Sequence, residues 1–304
     1  MLDDGIGGFA LTRAAPAKIN LALHVVGQRA DGHHLLESLV TFADRGDRIA
    51  LSPADEDRFT LSGAFAAELP LAANDQGGNL VLKARDLLRQ ELRSSDPAAA
   101  GPVHLHLEKN LPVASGIGGG SADAAATLHG LMELWGATLA PSRLQAIALA
   151  LGADVPMCLD GTPLLAKGIG EQITRLDDFP VLPMVLVNPL VGVSTPVVFR
   201  TLENKTNPSL VLNKGMQTAA EWLAAIATMR NDLQPPALRL QPVIADVCQA
   251  LTDAGAQLVR MSGSGATCFG IFDSTDRCAL AARTLSVAQP GWYVLACKTA
   301  GRED

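Results

Sequence analysis

A glycine-rich segment, residues 112–126 with the sequence PVASGIGGGSADAAA, holds the residues best suited to chemistry. It follows VHLHLEKN, whose alternating apolar and polar residues are typical of a β-strand, and it leads into an alanine-rich stretch typical of a helix. A strand, a glycine loop and a helix N-terminus in this order attract anions, because the loop N–H groups and the helix dipole act together. Glycine also permits backbone conformations and close approaches that side chains prevent. The sequence therefore predicts a phosphate-binding loop.

Two common phosphate-binding motifs do not fit this segment. A P-loop needs Lys and then Ser or Thr after its last glycine, but Ser121 and Ala122 follow Gly120. A dinucleotide fingerprint needs a third glycine at the sixth position, where this chain has Ser121 when counted from Gly116. A flexible turn that ends in a helix cap is the remaining structural alternative.

Three polar residues lie in patterns that suit a reacting site. Lys18 and Asn20 share the polar face of the alternating segment AKINLALHVV, which either faces solvent or lines a pocket. A lysine in a pocket can stabilise a deprotonated hydroxyl. Asp154 in LGADVP either caps the helix that Pro156 begins or acts as a general base.

The histidines are weaker candidates for metal ligands. His33 and His34 are adjacent, so their side chains diverge on an extended chain, although an imidazole can stack on a nucleobase. His104 and His106 share one strand face, which favours a solvated face over a metal site.

The pattern of apolar and polar residues along the rest of the chain predicts the helices and strands that position these residues. It predicts helices near 79–92, 141–152, 216–229 and 242–254, and strands near 17–26, 35–42 and 47–52, with an irregular stretch at 53–78. The final part reads as a strand, the turn SGSGA at 262–266, a strand, a helix and a strand. Mixed helices and hairpins without regular βαβ alternation favour an α+β fold in two lobes.

Composition excludes several classes of function. A net charge of −7 over 304 residues argues against nonspecific nucleic-acid binding, and no apolar run is long enough to span a membrane. The N-terminus lacks the apolar region of a secretory signal. Five cysteines without a CxxC pair suit a reducing cytoplasm rather than a zinc site or a disulfide framework.

Taken together, the motifs resemble those of the GHMP kinases, over residues 16 to about 299. Pro112, Gly116-Ile117-Gly118 and Ser121-Ala122 fall in register with the superfamily's ATP motif, and RMSGSGATCFGIF with its third motif. The resemblance implies that the loop wraps the phosphates of ATP and that Ser121 helps to position Mg²⁺. It also implies an N-terminal ATP-binding lobe at 1–160, a C-terminal lobe at 161–304, and an active site in the cleft between the lobes.

Four segments, AKINL, DGHH, GGGSAD and TPVVF, are similar to one branch of the superfamily, which phosphorylates a cytidine diphosphate-linked methylerythritol. This likeness implies ATP-dependent phosphorylation of the C2 hydroxyl of that small molecule, in non-mevalonate isoprenoid synthesis. A mevalonate- or homoserine-type kinase, a diphosphomevalonate decarboxylase and a non-catalytic nucleotide sensor are the alternatives.

The same likeness assigns roles to individual residues. Asp154 becomes the catalytic base, with Lys18 close enough to keep its carboxylate ionised. The implied ATP contacts are Pro112, Gly116, Gly118, Gly119, Gly120, Ser121, Lys109 and Asn79. The implied substrate contacts are Asn20, His33, His34, Thr195, Phe199, Gly263, Ser264 and Gly265. His33 replaces the branch's usual tyrosine, and Gln234 in NDLQPP replaces its usual glutamate.

Overall fold

The computed structural model describes residues 6–69, 78–94, 96, 99–213 and 215–302. The chain forms two compact units that alternate along the sequence. The first unit comprises Met1–Ala17, Gly46–Val113 and Gly119–Asp160, and the second comprises Lys18–Arg45, Ala114–Gly118 and Gly161–Asp304. The assignment of nucleotide binding to residues 1–160 and of a second lobe to 161–304 stays a prediction.

Helices and strands both run through the described chain, which confirms the predicted α+β class. The strands are β1 (Leu11–Gln28), β2 (His34–Pro53), β3 (Arg58–Ser62), β4 (Val103–Glu108), β5 (Leu164–Gly168), β6 (Gln172–Arg175), β7 (Pro183–Asn188), β8 (Leu258–Met261), β9 (Cys268–Ile271) and β10 (Tyr293–Lys298). The helices are α1 (Leu80–Arg93), α2 (Gly119–Leu134), α3 (Pro141–Leu151), α4 (Val155–Asp160), α5 (Thr195–Arg200), α6 (Ala219–Thr228), α7 (Gln234–Leu240), α8 (Val243–Asp253) and α9 (Thr275–Ala288).

The first unit is built on the end of β2 together with β4 and β3. β2 and β4 are antiparallel, with Arg48 opposite Glu108, and β3 runs parallel to β4. The face that carries His104 and His106 is covered, because Thr60 hydrogen-bonds to both imidazoles and Phe9 packs on both rings. The expectation of a solvated face is therefore wrong for His106, which is buried.

Small residues let helix α2 pack tightly in the first unit. Ala122, Ala124 and Ala125 are buried, as are most other residues of its first three turns. At Gly130, a Cβ atom would lie only 2.6 Å from a methyl carbon of Leu51, so a glycine lets α2 approach β2 without moving that side chain. The packing fixes the start of α2, where the glycine loop ends.

The second unit contains an antiparallel sheet in the order β10, β7, β9, β8. Its core joins Val185 and Val187 of β7 to Val247 and Leu251 of α8 and to the buried face of α9. The first half of β2 pairs with β5, and β5 pairs with β6. β8 and β9 form a hairpin, and residues 262–267 connect them at its tip.

None of the helices in the described ranges has both the length and the apolar character needed to cross a lipid bilayer.

Candidate active site

The predicted phosphate loop connects β4 to α2. β4 ends at Glu108 and α2 begins at Gly119, so strand, loop and helix follow in the predicted order. Gly116 and Gly118 have φ angles of 78° and 63°, a region that side chains disfavour. Pro112 is buried, whereas Gly120 and Ser121, on the first turn of α2, reach solvent. An exposed helix N-terminus next to left-handed glycines is the geometry of an anion site.

The middle of this loop lies against the turn that follows β8. A Cβ atom at Gly116 would lie 2.7 Å from the carbonyl oxygens of both Ser262 and Gly265. The hydroxyl of Ser262 donates to the carbonyl of Gly116 at 3.1 Å. Ser115 joins the same contact, since its carbonyl accepts from the N–H of Thr267. The structure thus brings two predicted motifs together, although they are about 150 residues apart in the sequence.

Lys18 runs along the other side of the loop. Its backbone N–H donates to the carbonyl of Ile117 at 2.8 Å, and the residue is only 4% exposed. A Cβ atom at Gly118 would lie 3.0 Å from Lys18 Cβ and 3.1 Å from Lys18 Cε, so glycine leaves room for the lysine side chain. The predicted catalytic lysine therefore lies against the phosphate loop.

Asn20 is held at the same place by two serines. Its N–H donates to the hydroxyl of Ser262 at 3.0 Å, and its Nδ2 donates to the hydroxyl of Ser38 at 2.7 Å. Its Oδ1 lies 3.4 Å from where a Cβ atom of Gly263 would be, and accepts no hydrogen bond within the described part of the chain. A buried acceptor without a donor costs free energy, so this oxygen suits a ligand hydroxyl.

The turn after β8 contains three further predicted residues. Gly263 and Gly265 have φ angles of 56° and 90°, which explains why glycines occupy these positions. The hydroxyl of Ser264, between them, is 2.7 Å from the hydroxyl of Thr195 at the start of α5. The structure therefore connects the turn to the helix that carries Phe199.

The structure pairs His34, rather than His33, with Phe199. The two rings are stacked with centroids 4.8 Å apart at an interplanar angle of 28°. His33 is exposed and contacts the carboxylate of Asp31 at 3.2 Å. Burial lowers the pKa of His34, and the positive charges of Lys205 and His33 lower it further. His34 Nε2 is buried and has no hydrogen-bond partner among the described residues.

Asp154 lies in the first unit, directly before α4. Its carbonyl accepts the N–H of Cys158, as expected of the residue that caps this helix. Its side chain is half-buried. Because Lys18 belongs to the second unit, the pairing of Lys18 with Asp154 stays a prediction.

Lys109 lies in the interior between two carboxylates. Its ammonium forms ion pairs with Asp47 and, at 2.8 Å, with Asp123 on α2. Asp47 also accepts the backbone N–H groups of Asn110 and Leu111, at 2.6 and 2.8 Å. This buried charge triad, Lys109, Asp47 and Asp123, fixes both ends of the glycine loop. Nucleotide binding by Lys109 stays a prediction.

Burial also governs the ionisation of the triad. It raises the pKa of Asp123 to about 8, with Lys109 opposing this shift and Asp47 adding to it. Burial alone would lower the pKa of Lys109, but the carboxylates of Asp123 and Asp47 together raise it above its ordinary value.

Asn79 is the N-cap of α1, where its Oδ1 accepts the N–H of Val81 at 2.9 Å. Its Nδ2 is buried and has no acceptor within the residues described. An unpaired donor suits a ligand acceptor, so the predicted nucleotide contact of Asn79 stays a prediction with chemical support.

Several residues of the site could not be found from sequence motifs. Asp47 and Ser38 act through contacts with distant residues and lie in no distinctive local pattern. Asp123 and Ser262 lie inside the motifs GGGSAD and SGSGA, but the motifs assign no contact to either residue. Across the described ranges, no three His, Cys, Asp or Glu side chains form a group that could hold a metal ion.

Comparison with family models gives two matches. The model of the GHMP kinases N terminal domain matches residues 79–162, and that of the GHMP kinases C terminal region matches residues 210–286.

Individual proteins match over nearly the whole chain. A 4-diphosphocytidyl-2-C-methyl-D-erythritol kinase of Sinorhizobium medicae is 68% identical over 302 residues, or 99% of each chain. One of Rhizobium meliloti is 66% identical over 298 residues, or 98% of each chain. A crystal structure of a 4-(cytidine 5'-diphospho)-2C-methyl-D-erythritol kinase matches with a TM-score of 0.77 at 32% identity, covering 96% of this chain and 100% of that chain. A homoserine kinase from Cytophaga hutchinsonii, with a TM-score of 0.65 at 20% identity over 95% of each chain, shares the fold.

Proposed function

Because the chain belongs to the GHMP kinases and, within them, to the 4-diphosphocytidyl-2-C-methyl-D-erythritol kinase family, we propose that it phosphorylates 4-diphosphocytidyl-2-C-methyl-D-erythritol. The γ-phosphoryl group of ATP goes to the C2 hydroxyl of this substrate, a step of the non-mevalonate route to isoprenoid precursors. The observation that carries the proposal is the contact of the glycine loop with Lys18 and with the turn at 262–265. This contact supports the proposal, because a glycine loop suited to anions, a lysine and a second glycine turn lie together.

The loop fits the phosphates of ATP. Gly116 and Gly118 have positive φ and no side chains, so the backbone N–H groups of the loop are open to a ligand. The first turn of α2 adds the positive end of the helix dipole. The missing side chain at Gly118 matters most, because it lets Lys18 lie next to the loop.

Mg²⁺ accompanies ATP in this proposal, and Ser121 would hold it. Mg²⁺ keeps several water ligands and binds mainly to substrate phosphates, so one hydroxyl on a half-buried helix turn fits it better than an acidic cage would. When bound, Mg²⁺ neutralises charge on the β- and γ-phosphate oxygens.

Two residues act on the transferred group. Asp154 takes the proton of the C2 hydroxyl. The hydroxyl oxygen bonds to the γ-phosphorus of ATP as the bond between that phosphorus and the leaving ADP breaks. The ammonium of Lys18 stabilises the negative charge on the attacking oxygen. The buried position of Lys18 supports this role, because few waters compete for its charge.

Recognition of the acceptor rests on two groups of residues. Asn20 Oδ1 accepts a hydroxyl of the methylerythritol, since it is buried and without a donor in the described chain. His34 and Phe199 bind the cytosine ring, where the aromatic face provides stacking and the unpaired Nε2 provides a polar contact. A substrate contact of His33 stays a prediction, since its side chain is exposed and contacts Asp31. A cytoplasmic location stays a prediction, supported by five unbridged cysteines.

A substrate panel tests the proposal. Purified protein is mixed with MgATP and, separately, with 4-diphosphocytidyl-2-C-methyl-D-erythritol, mevalonate, homoserine or galactose, and ADP release is followed. Only the first acceptor should be turned over, and Asp154→Asn should abolish most turnover without changing the melting temperature. Turnover of mevalonate or homoserine instead would assign another kinase activity. Nucleotide binding without turnover of any acceptor would indicate a sensor.

A further inference from the structure

The segment Arg230–Gln234 overlaps the NDLQPP motif, leads from α6 into the first residue of α7, and has no role in the reaction described above. Its side chains nevertheless contact the turn that follows β8. Asn231 is 5% exposed, and its Nδ2 donates to the carbonyls of Met261 and Gly263, both at 2.8 Å. Its Oδ1 accepts the N–H of Leu233 at 2.9 Å, so both ends of the amide are engaged.

A second side chain of the segment holds the same turn. The Oε1 of Gln234 accepts the N–H of Met261 at 3.0 Å. Met261 is therefore fixed at its N–H by Gln234 and at its carbonyl by Asn231. This explains why glutamine serves here in place of the glutamate found in the resembling branch, because either side chain offers the required acceptor oxygen.

The segment is also tied to the strand that carries Lys18 and Asn20. The N–H of Leu23 donates to the carbonyl of Arg230 at 2.9 Å, and the N–H of Asp232 donates to the carbonyl of Leu23 at 2.8 Å. The carboxylate of Asp232 accepts the N–H of Val25 at 2.7 Å. One short segment thus fixes the position of the turn relative to β1.

The bond to Gly263 determines where the next N–H points. In a planar trans peptide, the C=O and the following N–H point in opposite directions. Because Asn231 holds the carbonyl of Gly263, the N–H of Ser264 is turned away from Asn231. Within the described chain, this N–H donates to no protein acceptor, although Ser264 is buried. A buried and oriented N–H suits an anionic oxygen.

We propose that Asn231 is a positioning residue for phosphoryl transfer, which acts through the carbonyl of Gly263 to aim the N–H of Ser264 at the transferred group. This inference rests on the proposed kinase function. Asn231 does not touch the substrate. It fixes a donor whose direction matters most in the transition state, so its loss should lower kcat more than it raises KM.

Asn231→Asp tests the proposal, because it keeps the size and the acceptor for Leu233 but removes both donors. We expect kcat to fall about 10- to 100-fold, while KM for ATP and for the acceptor change less than about threefold. Gln249→Glu, the same amide-to-carboxylate change on the exposed face of α8, should behave as wild type. Circular dichroism and thermal melting establish that each variant is folded.

Asn231→Ser covers the case in which the buried carboxylate prevents folding, since a hydroxyl adds no charge and keeps one donor. It should lose kcat to a smaller extent than Asn231→Asp. If wild type is active and a folded variant at position 231 has an unchanged kcat, the positioning role alone is overturned. A rise in KM without a fall in kcat, or a loss of activity explained by the folded fraction alone, would also overturn it, because that is the result of a purely structural role. An inactive wild type would overturn the kinase function and this inference together.

Discussion

At the level of single residues, the buried charge triad of Lys109, Asp47 and Asp123 holds the chain on both sides of the glycine loop. Asp47 fixes the backbone of Asn110 and Leu111 before the loop, and Asp123 lies near the start of α2, the helix that follows the loop. Lys109 connects the two carboxylates. A buried group of this kind is costly to disturb, because each charge depends on the others for its solvation.

Lys109→Met should therefore destabilise the protein strongly. The change leaves the Asp47 carboxylate in the interior without its cation, which typically costs about 3–5 kcal/mol. Urea unfolding measures the free energy. Lys83→Met on the exposed side of α1 is the matched control and should change it by less than about 0.5 kcal/mol. A loss below about 1 kcal/mol for Lys109→Met would show that the triad contributes little.

The raised pKa of Asp123 predicts a pH dependence with a definite sign. Between the ordinary carboxyl pKa and about 8, the unfolded chain has released this proton while the folded chain retains it. Raising the pH in this range therefore favours unfolding. Relative to Asp123→Asn, wild type should lose free energy of unfolding from pH 5 to pH 8, by at most about 1.4 kcal/mol per pH unit. A flat or rising difference for Asp123→Asn would contradict the prediction.

Single residues also show what the sequence can and cannot predict about the site. Gly116, Gly118 and Lys18 were predicted, because the loop and the alternating strand have local patterns. Asn231 lies in the motif NDLQPP, which by itself predicts no chemistry for this residue. Its function depends on Met261 and Gly263, about 30 residues away, and hydrogen bonds over such distances leave no local trace.

At the level of elements, local periodicity predicted the long helices well. The prediction of a helix at 79–92 compares with α1 at Leu80–Arg93, and the prediction near 242–254 compares with α8 at Val243–Asp253. Strands that depend on partners were harder to predict. β3, at Arg58–Ser62, lies in a stretch that was expected to be irregular, because five residues become a strand only by pairing with β4. The two strands expected at 35–42 and 47–52 form one strand, β2.

The glycine loop provides a prediction at this level. Gly116 and Gly136 both have a positive φ, 78° and 60°. An added Cβ atom would clash with two carbonyl oxygens at Gly116 but would have no atom within 4 Å at Gly136. Gly136→Ala should therefore show only the backbone cost, about 1–2 kcal/mol. Gly116→Ala should cost about 1–3 kcal/mol more, from the added overpacking, and should lower kcat. Equal unfolding free energies for the two variants would contradict the close contact with residues 262–265.

For the molecule as a whole, the order of residues in the sequence does not match their grouping in space. Residues 18–45 and 114–118 belong to the same compact unit as residues 161–304. The long strands β1 and β2 each contribute to both units, so the chain changes unit in the middle of regular structure. Periodicity identifies such strands but contains no information about where along them the packing partners change, which depends on long-range contacts.

The two ligands of the proposed function should each stabilise the whole chain, and in separable ways. A ligand that binds only the folded state at 100 times its Kd adds about 2.7 kcal/mol to the free energy of unfolding. A non-hydrolysable ATP analogue with Mg²⁺ should raise the melting temperature of wild type, and cytidine diphosphate should do so independently.

Two variants distinguish these effects. Gly116→Ala should lose the shift caused by the ATP analogue but keep the shift caused by cytidine diphosphate, because its new methyl group would clash with the turn at 262–265 and so displace the phosphate loop. Phe199→Ala should do the opposite, since it removes the ring that stacks on His34 and leaves the loop intact. Differential scanning fluorimetry of wild type and both variants with each ligand measures the six shifts. If both ligands lose their effect together in either variant, the phosphate loop and the His34–Phe199 pair do not bind different ligands, and the roles proposed for them are wrong.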